Sequence, residues 1–173
     1  MGTVLKGMSN VQWHELQHAR GSASQVPGML SRIAWGDAPT AEDALSDLEQ
    51  WIGAMAVFDA TVATVPFLWE LAATETVRDR AGVLELLRTI LSAGHHHHPE
   101  WARGAHEAVV AGRATAERLA AAPAPRRQSA PAPAQGPAPR EPSRAKAAAE
   151  LLAAIDGHVC AACPRTEPDP YGA

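Results

Sequence analysis

The residues best equipped for chemistry lie near the two ends of the chain and in one run between them. Close to the start, His14-Glu15-x-x-His18 is followed by Gly21. On a helix this spacing sets two imidazoles one turn apart around a zinc ion, with the Glu between them as general base of a metallopeptidase. Such a site needs a third protein ligand. The longer form of the motif places a His six residues beyond the second one, and here that residue is Ser24. Toward the other end, Gly157-His158-x-Cys160-x-x-Cys163 offers an imidazole and two thiols. His158, Cys160 and Cys163 are the candidate metal ligands, three-quarters of a tetrahedral zinc site, and the fourth ligand would come from another His or from a partner. A thioredoxin-like redox role for the Cys pair would require a βαβ setting, which the sequence does not suggest. The third group, His95 to His98, is a run of four His before Pro99. Adjacent residues do not share a helix face, so a solvated loop is expected there rather than a shaped site, with a proton-sensitive loop as the alternative.

The elements that must position these groups read as helices. Asn10 can cap a first short helix carrying Val11, Trp13 and Leu16, stopped by Arg20-Gly21. Ser24 can cap a second, with Pro27 in its first turn and Val26, Met29, Leu30, Ile33 and Ala34 on one stripe. Thr40-x-x-Asp43 resembles a capping box before a helix with Ala41, Leu45, Leu48 and Ile52 on one face. Pro66 argues for a break, with one helical turn before Thr64 and a new helix capped by it. The spacing of Val83, Leu86, Leu87 and Ile90 predicts an amphipathic helix over 77–93, and Pro99 opens another reaching about Ala121. Ala148, Leu151, Leu152 and Ile155 form a last short helix, stopped at Gly157. Trp13, Trp35, Trp51 and Trp69 are read as core and rim fillers.

Seven of the fourteen Pro fall in 123–142, too many for that stretch to bury an ordered core. The expected organisation is therefore a helical domain over 1–122, a disordered Pro-rich linker over 123–142, and a short helix with the Cys-x-x-Cys tail over 143–173. The linker is basic and the parts on either side acidic. A net charge of −4 gives no electrostatic reason to expect nucleic acid or a membrane surface. The first residues lack a secretory pattern, no apolar run has the length of a membrane span, and two Cys are too few for a disulfide framework. A cytoplasmic protein is expected.

Trp13, Leu16, His18 to Ala23 (HARGSA), Val26-Pro27 and Met29-Leu30 together resemble the opening of a group of actinobacterial HEAT-repeat-like proteins. Asp59 to Leu68 (DATVATVPFL) is similar to a second segment of that group, and Arg80 to Gly94 to the helix that follows it. The likeness covers residues 11–94 and more faintly extends to 121. Arg20 departs from the group's Tyr, and Gly53 to Ala56 stand where it has a His-Gln-Gly-Thr-like stretch. The resemblance implies an all-α scaffold of stacked antiparallel helix pairs that binds other macromolecules, with no reaction attached. His18 then occupies a position of the group's own pattern, and the His-Glu-x-x-His spelling is accidental. The expected function is a non-catalytic scaffold or adaptor with no catalytic residues and no required cofactor, binding an unidentified protein partner. The alternatives are a zinc hydrolase through residues 14–18 and a metal- or redox-binding protein through the tail. The amphipathic stripe of the tail helix offers a face for docking on the helical domain or on the partner, and the sequence does not select between docked and free.

Overall fold

The computed structural model describes residues 4–53, 56–93, 98–121 and 143–163. The stretch 123–142, His95 to His97 and the residues beyond Cys163 lie outside these. So does the expectation of a disordered linker.

The first departure from expectation comes at once. Residues 10–20 are not a helix: single 3₁₀ turns at Met8–Asn10 and Trp13–Glu15 lead into a two-stranded antiparallel ladder. Its strands are β1 (Gln17–His18) and β2 (Gly21–Ser22), paired Gln17 to Ser22 and His18 to Gly21. The reason is where the backbone donors go. The Gln17 N–H donates to the Asp59 carboxylate at 2.8 Å, and the Ala19 N–H to the Trp51 carbonyl at 3.0 Å. Tertiary partners thus take the donors a helix would have used. Gly21, at φ 118°, supplies the backbone shape that returns the chain. Trp13 anchors the segment in the core, its indole N–H donating to Met8 O.

From here the chain is helical. A 3₁₀ turn at Ala23–Gln25 precedes α1 (Val26–Trp35), which has Pro27 in its first turn as expected. In α2 (Ala38–Ile52) the cap is Asp37, not Thr40; its carboxylate accepts from the Thr40 N–H at 3.0 Å, and the Thr40 side chain first, then this N–H, lower its pKa. The break expected at Thr64 does not occur, and α3 (Asp59–Ala73) runs through Pro66. The Thr64 hydroxyl donates to Ala60 O at 2.6 Å instead of capping. Burial explains why the kink cost is tolerated: nine of the fifteen residues of α3 are buried, Val65 and Phe67 on either side of the exposed Pro66 among them, and the helix packs against α1, α4, α5 and α6. Here α4 is Arg80–Ser92, capped by Asp79, α5 is Pro99–Ala111 and α6 is Arg113–Ala121.

The helix expected from Pro99 to about Ala121 is therefore two, broken at Gly112. A Cβ at Gly112 would lie 2.0 Å from the Trp69 ring, so the absence of a side chain lets the α5–α6 corner rest on α3. Trp13 and Trp69 are core residues, Trp51 is half-buried, and Trp35 is 64% exposed, so the reading as core and rim filler fails for Trp35. The last helix, α7 (Ser143–Asp156), lies against α4 and α6. It buries Ala147, Ala148, Leu151 and Ile155, and Gly157 follows it as expected. Two ion pairs fasten its rim: Arg88 with Glu150 at 3.0 Å, and Arg113 with Asp156 at 2.7 Å.

The Gly112 contact yields a direct expectation. Gly112→Ala forces the Trp69 ring or the α5–α6 corner to shift, and should destabilise the fold by about 2 kcal/mol, within the usual overpacking range. A lowered urea midpoint with an unchanged slope checks it.

Candidate metal centre

His106 sits on the face of α5 that also buries Ala102, Ala105 and Val109, and it is itself fully buried. A buried imidazole needs partners for both nitrogens. Its Nε2 lies 3.1 Å from Ile90 O and 3.0 Å from Ala93 O, the carbonyls at the end of α4. Carbonyl oxygens only accept, so Nε2 carries the proton and is shared between them. This fixes the tautomer, and the lone pair is left on Nδ1. That atom faces two sulfurs, Cys160 Sγ at 3.4 Å and Cys163 Sγ at 3.5 Å.

The sulfurs arrive from the turn after α7. The chain leaves the helix at Gly157, and the His158 N–H reaches back to Ile155 O at 3.3 Å. It then forms a tight turn in which the Cys163 N–H donates to Cys160 O at 3.2 Å, and the two Cys pair as a single antiparallel bridge. The Arg103 Nε–H from α5 donates to Ala162 O at 2.9 Å and pins the turn to the helix. His158 closes the set, its ring edge-on to His106 with centroids 4.8 Å apart.

The donor atoms of His106, His158, Cys160 and Cys163 all lie within 4.8 Å of one another. A tetrahedral ion with sulfur at about 2.3 Å and nitrogen at about 2.0 Å holds neighbouring ligand atoms about 3.5 Å apart. The two His106–sulfur distances already have that value. A His106 whose other nitrogen donates to backbone carbonyls is also the usual arrangement of a metal-ligating imidazole. The four side chains form a group that can bind a metal. In the absence of one, a thiol proton shared with Nδ1 satisfies the same atoms.

His158, Cys160 and Cys163 were all legible as candidates from their spacing; His106 was not. Its signal is faint, a single His on the buried stripe of a helix, and it gains meaning only beside a Cys pair that lacks a fourth ligand. The other sequence candidates fare differently. His14 is an exposed residue whose ring is 3.9 Å from Glu15. His18 is buried against Trp51, with ring centroids 4.8 Å apart, and its Nδ1 accepts the Arg20 N–H at 3.0 Å. Burial pushes its pKa down, which favours the neutral form. The two His lie on a 3₁₀ turn and a strand, so the shared helix face a zinc peptidase requires is absent. Of the four-His run, His98 is described, stacked on Trp101 with centroids 3.8 Å apart. Among the described residues, the group around His106 is the one set of three or more His, Cys, Asp or Glu side chains with converging donor atoms.

Comparison with protein-family models, curated proteins and solved structures gives no significant match for this chain.

Burial, with Cys160 alongside, pushes the Cys163 thiol up to about 11 from an ordinary 9.0. In metal-free protein the unfolded chain loses this proton first. Stability contributed by the protonated thiol is full below about pH 9 and is lost as pH rises toward about 11. Urea midpoints measured in chelator across that window should fall, and Cys163→Ser should flatten this part of the profile.

Proposed function

We propose that this chain is a non-catalytic, protein-binding helical module whose C-terminal segment is fastened to its body by one structural zinc ion. The observation that carries the zinc reading is the convergence of four protein donors, two sulfurs and two imidazoles, on one point. A catalytic zinc keeps one position open for water or substrate, whereas four protein ligands close the sphere. Thiolate with imidazole in tetrahedral array favours zinc over harder ions such as magnesium or calcium. The ion would join His106 on α5 to three residues that follow α7, and so fix the placement of α7 on α4 and α6.

The scaffold half of the reading draws support from the neighbouring pairs α1/α2 and α3/α4, which suit a HEAT-like stack. Trp35, exposed at the end of α1, has the side-chain type that most often anchors a protein interface. The hydrolase alternative loses support, since His14 and His18 do not share a helix face.

Tag-free protein dialysed against a weak chelator should retain about one zinc per chain. Cys163→Ser should lose it, and both Glu15→Gln and His18→Ala should keep it. Metal content by plasma emission reads all four proteins. Zinc lost by His18→Ala and retained by Cys163→Ser would transfer the metal to the N-terminal motif and overturn the proposal.

A further inference from the structure

The tail helix α7 packs along α4 and α6 through Ala147, Ala148, Leu151 and Ile155, with Leu152 and Ala154 partly buried beside them. Its ion pairs are half-exposed, with side-chain accessibilities of 39–50%, where such pairs contribute weakly. A helix of this length is marginal without tertiary support. The metal centre fastens the C-terminal end of the helix, placed directly after it.

That fastening has a chemical weak point. Cys160 and Cys163 face each other as partners of an antiparallel bridge. Residues so paired have Cα atoms about 4.5–5.5 Å apart, inside the window of roughly 4.4–6.8 Å that a disulfide requires. Their sulfurs lie within 4.8 Å of each other, and both residues are partly open to solvent. His106, by contrast, is buried and tied to Ile90 O and Ala93 O, so it stays in place when the sulfurs leave.

We infer that the Cys160–Cys163 pair is an oxidant-sensitive latch: a two-electron peroxide oxidant converts it to a disulfide, expels the metal and frees α7 from the α4–α6 surface. This rests on the zinc reading above. One thiolate attacks a peroxide oxygen; the S–O bond forms, the O–O bond breaks and hydroxide leaves. The second thiolate attacks the resulting sulfenic sulfur; the S–S bond forms, the S–O bond breaks and a second hydroxide leaves. Two thiolates and hydrogen peroxide thus give one disulfide and two hydroxides, and Zn²⁺, left with two neutral imidazoles, dissociates. Release uncovers the surface of α4 and α6 against which Leu151 and Ile155 pack, so α7 is an intramolecular cover whose position follows the redox state of the tail.

The test uses the zinc-loaded full chain, treated with increasing hydrogen peroxide. A chromogenic chelator reads free zinc, and hydrogen exchange reads the amides of residues 147–155. About one zinc should appear per disulfide formed, and exchange in α7 should rise by ~10-fold or more while α3 stays protected. Dithiothreitol with added zinc should restore both signals. Zinc released with α7 still protected overturns the latch and leaves the zinc reading intact. Zinc retained under peroxide sufficient to oxidise a free dithiol also overturns it. A reduced protein that holds no zinc overturns the zinc reading, and the latch with it.

Discussion

The His106 imidazole is the point on which the C-terminal half of the structure depends. One nitrogen closes the end of α4 by donating to Ile90 O and Ala93 O; the other faces two sulfurs from a segment more than fifty residues away. Removing this ring would expose two carbonyls at a buried helix end and leave the tail turn without its central donor. A helix terminus needs partners for its last carbonyls, and here a side chain from the neighbouring helix supplies them. The same bonds set the tautomer that makes Nδ1 a ligand. Packing and chemistry are therefore the same interaction seen from two sides of one ring.

That ring is positioned by α3, a largely buried helix against which both α4 and α5 pack. The position of α5 against α3 is held near its C-terminal end by Gly112 on the Trp69 ring, and its inner face places His106 over the end of α4. The N-terminal hairpin also rests on α3, and Gln17 and Ala19 bond to Asp59 and Trp51. The helical body thus forms around α3, and α7 joins it through its packing on α4 and α6, two ion pairs and the four-residue group.

Much of this was legible in the sequence where periodicity was strong. The stripes of α1, α2 and α4, the Pro27 first turn and the α7 helix with Gly157 beyond it follow from apolar spacing and turn chemistry. The misses share one cause, local signals overridden by distant partners. Residues 10–20 spell a short helix, but their donors find Asp59 and Trp51 instead. Pro66 spells a break, but the buried residues around it, Val65, Phe67 and Leu68 among them, hold α3 together. Gly112 carries no stop signal beyond being Gly; only Trp69, more than forty residues earlier, makes it a corner. The candidate site divides in the same way. His158, Cys160 and Cys163 are close in sequence and were readable as ligands, while His106 joins them only once α5 and α7 are placed in space. The His14–His18 spacing is a motif without its fold, since a ligand pattern written for a helix has no meaning on a hairpin.

The most direct examination of the centre is X-ray absorption at the zinc edge on the reduced full-length protein. A first shell of two sulfurs at about 2.3 Å and two nitrogens at about 2.0 Å, with the outer-shell scattering of two imidazoles, is the predicted result. A shell of nitrogen and oxygen alone would contradict it, because it would place the metal away from Cys160 and Cys163 and leave the His106 ring a purely structural group.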